Sequence, residues 1–222
     1  MNTNRTLSHT LFLLLLALCA WLGVVLQFVT IVPDWLQQGK TMSASLIQFF
    51  SYFTILTNLM IAVTTTAALL FPHSGFGSFC SRASSITAVN LYIIVVGLVY
   101  NLVLRPLYNP QGWGRVADEM VHSVVPALYV IYWLSFTAKG AVKWKNAINW
   151  LIYPLVYLIY TFVHGMFSSY YPYPFMDVKV IGYTGFWLNS FYLLLLFLLL
   201  SYLLIGIDKL LGRRKEKPLI AA

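Results

Sequence analysis

The chain has 222 residues, 60% of them hydrophobic and only 9% charged, with a formal net charge of +8. Soluble domains carry about 25% charged residues, so a water-soluble globule is excluded. The positive charge is gathered at a few loops and the C-terminal end, which excludes nucleic acid as a partner and points to a membrane surface.

The charged residues divide the chain into six long uncharged stretches. These lie between Arg5 and Asp34, Lys40 and Arg82, Arg82 and Arg105, Glu119 and Lys139, Lys145 and Asp177, and Lys179 and Asp208. A helix crosses the hydrocarbon layer with about 20 apolar residues, and a central Asp, Lys or Arg costs about 3 kcal/mol there. Each stretch holds one such helix without carrying charge into lipid. The reading is an all-α, polytopic membrane protein with a single six-helix domain over residues 1–222. Helices satisfy their own backbone in lipid, and runs such as 11–16 and 193–200 lack the alternation of a transmembrane barrel.

In chain order, the first helix covers about 10–32 and stops at Pro33-Asp34. Its apolar run is too long for a signal-peptide core, so it is expected to remain as an uncleaved span. The second covers about 45–71 and ends at Pro72. The third covers about 85–104, ended by Pro106 and followed by a loop with Pro110, Gly112, Trp113 and Gly114. The fourth covers about 118–136, the fifth about 148–167 and the sixth about 183–207, the last preceded by a Tyr/Pro loop from Tyr170 to Pro174. Odd loops on one face and even loops on the other give a sharp asymmetry. One side carries Arg5, Arg82, Lys139, Lys143, Lys145 and the basic tail from Lys209 to Lys217. The other carries Lys40, Arg105, Arg115 and Lys179, balanced by Asp34, Asp118, Glu119 and Asp177. The positive-inside rule then predicts that both termini are cytoplasmic.

Polar residues inside the spans carry the functional signal. Ser51, Thr54, Thr57 and Asn58 recur at helical spacing along one side of the second helix. Such residues commonly bond back to the preceding turn or glue helices together. His9 and His73 read as surface residues. His122 and His164 fall within spans, where an ionisable group usually faces a cavity or a partner. Thr54, Asn101, Arg105, Asp118, Glu119, His122, His164 and Asn189 are all predicted in the outer half of the membrane, which predicts a cavity open to the outer leaflet.

A hydroxyl becomes a nucleophile when a neighbouring base takes its proton, and imidazole is the usual base near neutral pH. Asp118 and Glu119 precede His122 by four and three residues, so either can reach the ring across one turn and orient it. His164, Asn58, Asn101 and Asn189 are candidate donors to a developing oxyanion. The chain has no metal-spaced His/Glu cluster, dinucleotide glycine pattern or phosphate loop, so neither metal nor cofactor is expected.

Three patches carry a family likeness: Tyr52-Phe53-Thr54-Ile55-Leu56-Thr57-Asn58-Leu59, His122-Ser123-Val124-Val125-Pro126, and Val163-His164-Gly165-Met166 followed by Tyr173-Pro174-Phe175. With the six-helix spacing, they resemble the androgen-induced (FAR-17a-type) family of membrane proteins and six-pass bacterial relatives. That family includes intramembrane threonine hydrolases that cleave fatty acid esters of hydroxy fatty acids. The resemblance implies Thr54 as nucleophile, with Thr57 the neighbouring alternative, and His122 as base. It also implies lipid-like ester substrates and a bacterial cytoplasmic membrane. Two other readings stay open, a small transporter or proton-coupled carrier relaying through His122 and His164, and a non-catalytic lipid-binding membrane protein.

Overall fold

The structure, a computed structural model, describes residues 6–216. Arg5 and Lys217, read above as cytoplasmic charges, lie outside the described residues. No strand occurs among the described residues. Among the described residues six helices are long and apolar enough to cross a membrane: Leu7–Gln37, Phe53–Leu70, Ala83–Leu107, Gly112–Phe136, Asn146–Ser168 and Val178–Arg213. The chain is therefore an all-α polytopic protein. It divides into two compact units, Met1–Thr137 and Ala138–Ala222.

In the first unit α1 (Leu7–Gln37) does not stop at Pro33 but continues one turn beyond it. The bond lost at the proline is offset by burial. Val32 packs with Val24, Phe49 and Ile55, and Phe28, Trp35, Leu36 and Tyr52 cover this cluster. The helix ends at Gly39, whose φ of 86° only glycine adopts without strain.

The second predicted helix is in fact two, α2 (Met42–Phe49) and α3 (Phe53–Leu70). No proline or glycine causes the break. The backbone N–H and hydroxyl of Ser51 both donate to the Gln48 carbonyl, at 3.1 and 2.7 Å, which closes α2. Tyr52 is then extended, and α3 starts afresh with Thr54 in its first turn. Its 18 residues span about 27 Å, close to the roughly 30 Å hydrocarbon thickness.

After the short α4 (Gly75–Cys80), α5 (Ala83–Val99) runs into a π-turn, Tyr100–Leu104, and a 3-10 turn, Arg105–Leu107. The next span begins earlier than predicted, because Gly112–Gly114 belong to α6 (Gly112–Glu119) rather than to a loop. A second π-turn, Met120–Val124, leads into α7 (Val125–Phe136). The two π-turns stand the same distance ahead of Pro106 and Pro126. Proline removes one helical N–H and clashes with the carbonyl four residues back, and a widened turn accommodates both.

α1 packs against α3, α6 and α7, while α5 packs against α3 and α7. Small residues on α1 allow this approach: Ala17, Ala20 and Gly23 are buried. A Cβ on Gly23 would lie 3.1 Å from Val121 Cγ1, so the glycine makes room for the second π-turn. His9, predicted at the surface, is half-buried. Its ring stacks on Phe136 at 5.0 Å, and its Nε2 lies 3.4 Å from the Tyr132 hydroxyl.

The second unit contains α8 (Asn146–Asn149), α9 (Ile152–Ser168), a 3-10 turn (Pro174–Met176) and α10 (Val178–Glu216). Gly182, at φ 69° and ψ 172°, interrupts α10 near its start, close to the predicted beginning at 183. Phe162 packs on Phe186 and Trp187 at 5.2 and 5.1 Å. At the other end, the buried Asp208 fixes the preceding loop. Its carbonyl accepts from Gly140 N–H at 3.0 Å and its carboxylate from Val142 N–H at 3.2 Å.

Candidate active site

The second π-turn creates the candidate site by releasing two carbonyls from the helical ladder. Val125 N–H bonds to Met120 O instead of Val121 O. The His122 carbonyl faces position 126, where proline has no N–H to give. An unpaired carbonyl is expensive in a dry interior, and two asparagines supply the missing donors. Asn58 Nδ2 donates to Val121 O at 3.1 Å and to Thr54 O at 2.9 Å. Asn101 Nδ2 donates to His122 O at 3.2 Å and to Gly97 O at 2.8 Å.

These bonds revise two of the predicted roles. Each amide nitrogen has two hydrogens, and each is spent on two carbonyls, so neither Asn58 nor Asn101 retains a donor for an oxyanion. Their work is to hold the segment around His122. Asn58 also bridges the first turn of α3 to that segment, which brings the backbone of Thr54 beside that of Val121. Thr54, Thr57 and Asn58 are all buried. Asn58 Oδ1 is buried without a hydrogen-bond partner among the described residues.

Asp118, not Glu119, meets the imidazole. His122 Nδ1 lies 3.1 Å from Asp118 Oδ1 and 3.0 Å from Asp118 O. A backbone carbonyl can only accept, so Nδ1 carries the proton, and the lone pair of the neutral ring is on Nε2. No hydrogen bond reaches Nε2 among the described residues. The other oxygen of Asp118, Oδ2, accepts from the Tyr100 hydroxyl. The Tyr100 ring lies against the imidazole, with centroids 3.7 Å apart and planes within 10°.

Glu119 is occupied elsewhere. It pairs bidentately with Arg105, at 2.6 and 2.7 Å, and accepts from Arg115 at 3.0 Å and Ser123 Oγ at 2.7 Å. Arg105 also donates to Asn101 Oδ1 at 2.8 Å and to Ser123 Oγ at 3.1 Å. This network ties the first π-turn to the second and neutralises the acid next to Asp118. Planar bidentate geometry makes such pairs strong and directional.

His164 and Asn189 belong to the second unit, where each has a local partner. His164 Nδ1 lies 3.3 Å from Ser168 Oγ, and its ring stacks on Tyr160 at 5.5 Å. Asn189 Nδ2 donates to Phe175 O at 2.8 Å, holding the 3-10 turn against α10. Tyr171, in the loop between α9 and α10, has its hydroxyl pKa raised by burial, with Tyr183 and Asp177 adding to it. Among the described residues no group of three or more His, Cys, Asp or Glu could hold a metal.

The sequence reading missed Tyr100 and Ser123 as site residues; it counted Arg105 among the polar groups of the outer half without a role and took Arg115 only as a loop charge. The available signal was the matched placement of Pro106 and Pro126, which marks both turns as irregular. No family model, curated protein or solved structure matches the chain.

Proposed function

We propose that this protein is an integral membrane hydrolase of lipid-like carboxylic esters, of the fatty acid ester of hydroxy fatty acid type. One observation carries the reading: an imidazole whose Nδ1 is held by a buried carboxylate and whose Nε2 is left for a proton. That is the arrangement by which an acid orients a base in acyl transfer.

In this reaction Thr54 Oγ1 attacks the ester carbonyl, and its proton passes to His122 Nε2. Asp118 stabilises the imidazolium that forms. The proton then goes to the departing alkoxide, and the acyl-threonine ester remains. Water, deprotonated by the same Nε2, attacks that ester; the C–Oγ1 bond breaks, the proton passes from Nε2 to Thr54 Oγ1, and the fatty acid leaves. Thr54 stands in the first turn of α3, where the positive end of the helix dipole favours charge developing on the carbonyl oxygen. The Asn58 bridge supports bringing the two segments into one site. Thr57, one turn further into α3, is the alternative nucleophile.

The charge asymmetry supports an orientation with cytoplasmic termini, which puts the site under the outer leaflet. The resemblance to bacterial six-pass relatives supports a bacterial cytoplasmic membrane. The purified protein is expected to be labelled by a hydroxyl-directed fluorophosphonate probe. Thr54→Ala and His122→Ala each abolish labelling while the protein still elutes as a folded species. Labelling that survives in both variants rejects the assignment. A carrier reading draws on His122 and His164, ionisable groups that both fall within candidate spans. Substrate flux into proteoliposomes without ester turnover would favour it.

A further inference from the structure

Tyr100 and His122 meet because each sits in a π-turn. In a regular α-helix, Tyr100, Asn101 and Arg105 would spread over about 140° of the circumference. The widened turn, in which Arg105 N–H bonds to Tyr100 O, gathers all three onto the segment around His122. Tyr100 covers the imidazole, Asn101 holds the His122 carbonyl, and Arg105 clamps Glu119 and Ser123. Three consequences of one irregular turn thus converge on one short segment, residues 119–123.

A buried tyrosine hydroxyl needs a partner wherever it lies, so its bond to Asp118 alone would be ordinary packing. The geometry goes further. The Tyr100 hydroxyl and His122 Nδ1 engage the two different oxygens of one carboxylate, while the Tyr100 ring lies face to face with the imidazole. Asp118 therefore controls rotation of the ring in its plane, and Tyr100 controls its tilt.

We propose that Tyr100 is a positioning residue for His122, its ring and its hydroxyl together holding the imidazole so that Nε2 stays fixed as the proton acceptor. The assignment to catalysis rests on the reading of His122 as the base. The positional claim stands on the geometry itself, and the experiment separates the two.

The protein is labelled with 15N-histidine, purified in detergent micelles and observed by NMR, with the His122 signals identified by their loss in His122→Gln. Wild type is expected to show His122 in the Nδ1–H form. Tyr100→Phe keeps the stack but removes one of the two donors sharing Asp118. The remaining Nδ1–H bond strengthens and its proton resonance moves downfield. Tyr100→Leu removes ring and hydroxyl, and the two tautomers mix. His122 signals unchanged in both variants, or a wild-type Nε2–H form, overturn the proposal. In ester hydrolysis, Tyr100→Phe lowers kcat on the order of tenfold with KM unchanged; a rise in KM at constant kcat would count against positioning. The NMR readout needs no turnover. If wild type cleaves no ester, the hydrolase reading falls and the role of Tyr100 is still decided by the resonances.

Discussion

His122 and His164 each meet a partner one helical turn away, Asp118 before the first and Ser168 after the second. The likeness ends there. Ser168 gives its hydrogen to the His164 carbonyl at 2.7 Å, so it offers the ring a neutral lone pair. Asp118 offers His122 a carboxylate, and Tyr100 fixes the ring from its face. A neutral hydroxyl orients an imidazole weakly and does little for an imidazolium. A buried anion does both. The lesson is that a histidine inside a span acquires chemistry from the charge and rigidity of its partner, not from its depth.

The two histidines differ most in what the loss of each partner costs. Asp118→Asn is expected to lower ester turnover about 100-fold, because the amide can donate to Nδ1 and favour the wrong tautomer. Ser168→Ala is expected to leave turnover within about twofold. Initial rates on one fatty acid ester of a hydroxy fatty acid, in the same micelles, compare them. Equal losses would erase the distinction between the two histidines.

The carbonyl staples provide the next test. Asn58→Asp keeps the shape but points carboxylate oxygens at the Thr54 and Val121 carbonyls inside a dry core. The expected destabilisation is at least about 3 kcal/mol, the scale of an uncompensated buried charge. Denaturant titration in mixed micelles measures it, and an unchanged midpoint would remove Asn58 from the scaffold of the site. The smallest effect is a ranking. Arg105 binds Glu119 at two oxygens and reaches Asn101 and Ser123 as well, whereas Arg115 makes one contact and is more exposed. Arg105→Gln should lower the melting temperature more than Arg115→Gln. The reverse order would show that the clamp does not join the two π-turns.

Much of the architecture is legible from charge placement alone. The uncharged stretches correspond to the six helices capable of spanning a membrane, because the penalty for charge in hydrocarbon exceeds any local propensity. The departures come where tertiary contacts override local cues. Pro33 does not end α1, since Trp35 and Leu36 find a cluster to join. The break after α2 has no proline or glycine to announce it, since Ser51 closes the helix through a single carbonyl. At the site, the i,i+4 relation of Asp118 and His122 is visible in spacing, and Glu119 was an equal candidate until Arg105 was seen to claim it. Asn58 and Asn101 were legible as donors but not in their use. That depends on which carbonyls a π-turn releases, and only the backbone reveals it.

The π-turn at Met120–Val124 amounts to one additional residue lodged within a helix. Its loss would swing everything on one side of the turn through about 100° relative to the other. Asp118 and Glu119 would turn together, and the carboxylate of Asp118 would be carried away from the imidazole. The length of this helix, counted to a single position, is thus itself part of the machinery, and insertions or deletions there should be tolerated far less well than changes of side chain.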